Sequence, residues 1–584
     1  MIKKGNLLMN NNKNIYIEHI IKRINKNYVV KKVESVKKDK IEKIKIACIL
    51  DRFSYDCLKY ESDFYQLGVN NWKEVIDRIK PDLLFVESAW EGYNYEWINK
   101  IANMEKFRDK TLINLISYCK ENSIPTVFWA KEDPTDFYIF IEASKHFEYV
   151  YTTDINCIPK HKKILGHNNV YLLPLAAQPK LHNPIEKDIR KTGKIAFAGS
   201  WYKKFEKRGK YMHNLLRPAK KHGLTIYNRF SYLNNEQFAF PEEYKPYIRK
   251  GLDYEEMVKE YKKYDIFLNV NSDDISPTAF ARRIYELLAC GIPVISSYNP
   301  GIENYFKDIV MISNSEEDTE KYLKKLLENK ELRDKLSLLG QRRVFSNHTY
   351  EQRFNTLLNT IGLAKNSKKS KGVSIISYVD SDSIIDNILG NFVSQNYTPK
   401  ELILIKGDKT KDFKKWNKVI KEHDDIVLLR VPSHPSLGTA LNLGIEKSKY
   451  DYISIFDSNS FYGANYLTDM MNTFIYSKAY IAGKKTIYEY LVDNNRISLN
   501  NPGQEYRYTK SIGSSTFTFK KDLYNIVKFN DNHLNSYLSF IQNCVDKDLK
   551  IYSSDRFNHV FIKNIRGEKI IREAIEEKFK SLII

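Results

Sequence analysis

No apolar run in this 584-residue chain approaches the roughly 20 residues that a membrane-spanning helix needs. No apolar core with a small-residue cleavage site follows the basic start Met1-Ile2-Lys3-Lys4, so no signal peptide is expected. The six cysteines (48, 57, 119, 157, 290 and 544) include no Cys-x-x-Cys pair, which argues against structural zinc and a disulfide framework and fits a reducing cytosol. A nucleic-acid-binding motif is also lacking. The net charge of +21 comes from Lys and Arg spread along the whole chain, so it favours acidic partners in general and no nucleic acid in particular. Hydrophobic content of 42% and charged content of 28% are those of a folded soluble protein, and the length asks for about three or four domains.

What is present is α/β patterning. Residues 1–42 are rich in Lys and Asn, with an amphipathic stretch at Ile15 to Ile24 that reads as a lead-in helix or, alternatively, a peripheral membrane contact. From 43 to 188, short buried strands alternate with helices: Ile44 to Leu50, Leu83 to Val86, Thr126 to Trp129, Tyr149 to Tyr151 and Val170 to Leu173. Each strand ends in charged or polar residues, and the carboxyl ends of parallel strands line the ligand crevice of an open sheet. Asp51, Glu87, Glu91, Glu132, Asp133 and Asp154 are therefore candidates to face one cleft. A transfer to a hydroxyl with inversion needs a general base, and Asp133 or Glu87 is expected to serve. The alternative is that such acids cap the next helix.

A second α/β half spans 189–363. It opens on a strand running into the Gly199 turn, followed by Ser200, Trp201 and Arg208; a glycine there lets backbone approach a phosphate closely. Arg229 follows the next strand, and Tyr254 begins a helix. The stretch SPTAFARRIYELLACGIPVISS, Ser276 to Ser297, reads as loop, helix, glycine stop and buried strand, a βαβ unit. Arg282 and Arg283 sit at the start of its helix, where the dipole opposes cations unless an anion such as a diphosphate lies between them. Glu286, one turn on, can accept hydrogen bonds from a ribose diol.

The segment Arg282 to Ile295 resembles the sugar-nucleotide-binding segment of GT-B glycosyltransferases, most of all the spore maturation protein CgeB family. VESAWEG, FWAKEDP, TTDINCIPK and LPLAAQPKLHNP carry the resemblance through most of 44–185. It implies two Rossmann-like halves across a cleft and places Glu286 on the ribose. It also implies sugar-nucleotide contacts from Gly199, Ser200, Trp201, Arg208, Arg229, Tyr254, Ser276, Thr278, Arg282 and Arg283, with Arg282 stabilising the leaving diphosphate. Many such enzymes carry a second glutamate eight residues before the first; here that position is Thr278, which leaves the stereochemistry open.

Residues 364–371, basic and Ser-containing, read as a linker. From 372 to 584 a further α/β pattern follows: a strand from Val373, SQNY with EL downstream, the LGTALNLGI helix and the strand Tyr452 to Phe456. This order is similar to GT-A family 2 glycosyltransferases, in which an Asp-x-Asp holds Mn²⁺ or Mg²⁺. The matching residues are Asp457 and Asn459, so one charged ligand is a neutral amide and the site is expected to be weakened. His559 is either a third ligand or, as buried histidines more often are, structural. The expectation is thus a cytoplasmic hexosyltransferase-type enzyme: an α/β GT-B fold followed by a GT-A-like α/β domain. It would use a nucleotide-diphosphate sugar, a UDP-sugar first of all, and a glycan, protein or envelope-polymer acceptor. No cofactor is required in the GT-B half, and Mn²⁺ or Mg²⁺ belongs to the C-terminal domain. The rival readings are a non-catalytic carbohydrate-binding or assembly protein, and catalysis in the GT-A-like domain.

Overall fold

A computed structural model describes residues 43–584 apart from 190, 234, 365–370, 380–384, 407–423, 432–435, 532–535 and 564–575. The amphipathic stretch at 15–24 and nearly all of the expected linker lie outside the described residues. The chain divides into two compact units, one covering Asp39–Ser367 and the other containing Lys368–Ile584. Among the described residues no helix is long and apolar enough to cross a membrane.

The first unit holds two six-stranded sheets. The first comprises β1 (Lys45–Ile49), β2 (Asp63–Gln66), β3 (Leu83–Glu87), β4 (Thr126–Ala130), β5 (Tyr149–Thr152) and β6 (Val170–Leu172), in the order β2-β1-β3-β4-β5-β6. The second comprises β7 (Gly193–Gly199), β8 (Leu224–Asn228), β9 (Ile248–Lys250), β10 (Tyr264–Asn269), β11 (Val294–Ser297) and β12 (Met311–Ser313), in the order β12-β11-β10-β7-β8-β9. Every pairing in both is parallel. The interior strands are buried on both faces, which is why LLFVE and TVFWA read as continuous rather than alternating apolar runs.

The two sheets are tied into one unit by the helix Tyr350–Thr360. A capping box of Thr349 and Gln352 starts it, and Tyr350, Phe354, Leu357 and Leu358 pack into the core formed by Ile46, Leu83 and Val127 of the first sheet. A backbone bridge between Ala177 and Thr349 marks the crossing back. The helix Arg283–Ala289 ends at Cys290, and Gly291 follows at φ +73°, where an added Cβ would lie 2.6 Å from both Gln341 and Ser337 side chains. Glycine is needed there both for the left-handed turn and for the space.

The second unit is built on an eight-stranded sheet. Its parallel part comprises β13 (Val373–Val379), β14 (Lys400–Lys406), β15 (Ile426–Arg430) and β16 (Tyr452–Ile455). It continues through antiparallel pairings at β22 (Thr518–Lys520) toward β18 (Ile481–Gly483), β23 (Ile551–Ser553) and β21 (Arg507–Thr509). One face packs on Ile385–Val393 and Tyr466–Tyr476, the other on Leu437–Lys447 and Ser536–Asp546. A four-stranded sheet pairs β17 (Ser460–Tyr462) and β24 (His559–Lys563) with the hairpin β19 (Ile487–Leu491) and β20 (Arg496–Asn500).

Candidate active site

Between the two parallel sheets of the first unit lies a cleft of about 220 Å³. Phe53, Lys131, Glu132 and Asp133 line it from the first sheet's strand ends; Ser272, Asp273 and Arg282 line it from the second. Both sets follow the carboxyl ends of parallel strands, as the topology requires.

Asp133 is 7% exposed. Its Oδ2 accepts from Thr152 Oγ1 at 2.6 Å and is 2.8 Å from His161 Nε2. Its Oδ1 carries no hydrogen bond among the described residues, and the side chain, 3% exposed, lines the cleft. One oxygen is thus fixed and the other is left unpaired among the described residues. Glu87 is different. It is fully buried, with Oε1 held by Lys131 Nζ at 2.9 Å and by the Asp51 N–H at 2.6 Å, and Oε2 has no partner. Burial pushes its pKa up to about 7 against the pull of Lys131. Asp51 accepts from Lys131 and from the N–H groups of Trp90, Glu91 and Gly92. Burial raises its pKa, but Lys131 and these N–H groups outweigh that and hold it below the usual carboxylate value. Glu91 is exposed, and its side chain is not among those lining the cleft.

The second half contributes a group of arginines. Arg282 lies with its guanidinium 3.9 Å from the centre of the Phe53 ring, while Lys131 Nζ is 4.4 Å from the same centre. Arg208, 9% exposed, donates to the Ser200 carbonyl at 2.9 Å, but its Nε is buried without a partner, as is Ser200 Oγ. Burial and the charge of Arg283 pull the pKa of Arg208 down to about 10, partly offset by Tyr202. Burial, together with the charges of Arg282 and Arg283, likewise lowers that of Arg229. Arg283 Nε donates to Tyr261 OH at 3.3 Å. Cations crowded enough to disfavour one another, with the Arg208 Nε donor left unpaired, form a site that an anion would stabilise.

Other sequence-selected residues have different surroundings. Glu286 is 1% exposed, and both oxygens are engaged: Oε1 by Arg282 Nε at 3.0 Å and Tyr254 OH at 2.8 Å, Oε2 by Tyr261 OH at 3.0 Å. Burial would raise its pKa, yet Arg282 overrides this and holds it at about 2. Trp201 packs into the core against His213 and Phe240. Gly199 ends β7, where a Cβ would meet the Phe197 ring at 2.9 Å. Ser276 and Thr278 stitch the two halves together: Ser276 Oγ donates to Asp154 Oδ1 at 2.5 Å, and Thr278 Oγ1 donates to the Thr153 carbonyl at 2.9 Å. Asp154 therefore belongs to the seam. Lys131, Phe53, His161, His182 and Tyr261 were not singled out from the sequence.

In the second unit Asp457 Oδ1 accepts from the N–H of Asn459 at 2.8 Å. Among the described residues no group of three or more His, Cys, Asp or Glu side chains could hold a metal ion. His559 is buried, with Nε2 3.0 Å from Ser515 Oγ and its pKa pushed down to about 3 by burial and by Lys484. It is a core histidine.

Comparison with known proteins agrees with this division. Residues 207–359 match a family model described as glycosyl transferase-like, and residues 372–526 match glycosyl transferase family 2. Poly-beta-1,6-N-acetyl-D-glucosamine synthases of two Staphylococcus aureus strains are 30% identical over 83 residues, 14% of this chain. The chain spans about a fifth (20%) of the length of these curated relatives. Among solved structures, S. aureus TarS 1–349 gives a TM-score of 0.27 at 11% identity, over 33% of this chain and 60% of that one. A Pyrobaculum calidifontis mannosyltransferase in complex with GDP-Man and Mn²⁺ gives 0.26 at 12%, over 33% and 58%. Likenesses of this extent say nothing about what this chain binds. The two model matches are both to glycosyltransferases.

Proposed function

We propose that this two-domain glycosyltransferase moves a sugar from a nucleotide-diphosphate sugar to an acceptor hydroxyl in the cleft of its first unit. The acceptor oxygen attacks the anomeric carbon and the bond from that carbon to the diphosphate oxygen breaks. Asp133 Oδ1 takes the acceptor proton, and the electron pair leaves with the diphosphate toward Arg282, with Arg208, Arg229 and Arg283 behind it. Direct displacement of this kind inverts the anomeric centre.

The observation that carries this reading is a pairing across one cleft. A carboxylate with one oxygen fixed and one unpaired among the described residues comes from the first sheet, and a guanidinium from the second. Of the two acids considered for the base, Glu87 is sealed behind Lys131 and cannot reach an acceptor, so the role falls to Asp133. Glycine at 199 allows backbone to approach the diphosphate. No metal step belongs to this scheme.

A UDP-sugar and a glycan, protein or envelope-polymer acceptor fit the net charge of +21 and the CgeB-like segments of the sequence. A cytoplasmic site of action fits the scattered, unpaired cysteines. A second reading puts catalysis at Asp457, favoured by the family 2 match over 372–526.

The test is nucleoside-diphosphate release from UDP-, GDP- and dTDP-sugars, with and without Mn²⁺, in wild type, Arg282→Ala/Arg283→Ala and Asp457→Ala. The proposal expects the arginine variant to lose about 10²-fold or more, and Asp457→Ala and Mn²⁺ to have little effect. Release that requires Mn²⁺ and Asp457 would move the chemistry to the second unit. Release that survives loss of both arginines would refute the scheme.

A further inference from the structure

Arg282 meets the cleft with both terminal nitrogens free of hydrogen bonds among the described residues, because only its Nε is engaged, on Glu286. What fixes Glu286 is a chain of buried polar groups reaching back through the first unit. The N–H of Gln178 donates to His182 Nδ1 at 2.9 Å, so the proton of the neutral ring sits on Nε2. That Nε2–H points at Tyr254 OH, 2.8 Å away, and Tyr254 in turn donates to Glu286 Oε1 at 2.8 Å. Tyr261 OH donates to Oε2. Burial pushes the pKa of His182 down to about 4, so the ring stays neutral and the direction of every hydrogen bond in the chain is set at neutral pH.

The geometry leaves little for Glu286 to offer a ribose. Each oxygen already has a protein partner, the side chain is almost wholly buried, and the cleft wall is formed by Arg282 and not by Glu286. An arginine tethered at Nε with a free terminal fork is held ready for a diphosphate, since its long side chain is already ordered before the ligand arrives.

We propose that His182, Tyr254 and Tyr261 are positioning residues that act through Glu286 to aim Arg282 at a diphosphate, and that Glu286 serves this chain and not the ribose. The inference rests on the reading that the cleft takes a nucleotide-diphosphate sugar.

The test is calorimetric titration of the full chain with UDP, GDP and dTDP, and with inorganic pyrophosphate, which has no ribose. Tyr254→Phe and His182→Ala should weaken the best nucleoside diphosphate and pyrophosphate by the same factor, about tenfold, the size of one lost charge-assisted hydrogen bond. His182→Gln, whose side-chain amide can present an N–H to Tyr254, should recover most of the loss; a merely space-filling role for the imidazole predicts no such recovery. Should His182→Ala fail to fold, Tyr261→Phe carries the same comparison with minimal change in packing.

Unchanged affinity in Tyr254→Phe and Tyr261→Phe, with wild-type binding intact, overturns the positioning chain alone. Loss on nucleoside diphosphates with pyrophosphate unaffected also overturns it and returns Glu286 to the ribose. A wild-type chain that binds none of these ligands removes the proposed function, and the inference falls with it.

Discussion

Lys131 gives the sharpest stability prediction. Its side chain is 2% exposed and its ammonium holds two carboxylates at once, Glu87 at 2.9 Å and Asp51 at 3.0 Å. Glu87 has its folded pKa raised from an ordinary 4.5 to about 7, so between those values the native state holds a proton that the unfolded chain has lost. Stability therefore falls as pH rises through that window and levels off above about 7. Lys131→Met keeps the stem's volume but removes the charge that lets Glu87 ionise at all. In the variant Glu87 stays protonated to higher pH, and each pH unit over which it does so costs about 1.4 kcal/mol. From pH 6 to pH 9 the gap between wild type and variant should widen by about 3 kcal/mol, or roughly 5 °C in the first unit's melting temperature. Thermal unfolding at four or five pH values in that range measures it. A gap that stays constant, or narrows toward pH 9, refutes the buried ion cluster as described.

The seam between the two sheets should be sensitive out of proportion to its size. Ser276→Ala removes a donor to the buried Asp154 and is expected to destabilise the first unit by about 2 kcal/mol, read from its melting temperature. Thr278→Val keeps the shape but strands the Ile155 N–H and the Thr153 carbonyl, and the same measurement should show a loss of about 2 kcal/mol; Thr278→Ser should recover much of it.

Much of the architecture was legible because parallel strands buried on both faces announce themselves as apolar runs. IKIACIL, the segment Leu83 to Val86 and Ile266 to Val270 could hardly be anything else. The strand β2, DFYQ, was missed: it is an edge strand, only Phe64 is buried, and its sequence carries no strong period. Strand-end acids pointed to the right edge of the first sheet but could not be ranked. Asp133 and Glu87 look alike in sequence, and what separates them is Lys131, which seals one and leaves the other at the cleft. Glu286 shows the same limit. Its partners Tyr254 and Tyr261 lie 32 and 25 residues away, and His182 reaches it by hydrogen bonds through Tyr254. Ser276 and Thr278 read as loop polars near an anion site, yet their hydroxyls face Asp154 and Thr153 across the seam. Local pattern encodes the strands; which polar group meets which is decided by how the two sheets close on each other.

The most direct check of the central claim is turnover by Asp133→Asn at saturating sugar nucleotide. Asparagine keeps an oxygen for Thr152 and His161, so the local structure should hold, but it cannot take a proton. The account predicts a fall in kcat of about 10²-fold or more with KM for the sugar nucleotide essentially unchanged. Turnover within about twofold of wild type, where loss of a general base should cost at least 10²-fold, would contradict it and take the reaction out of this cleft.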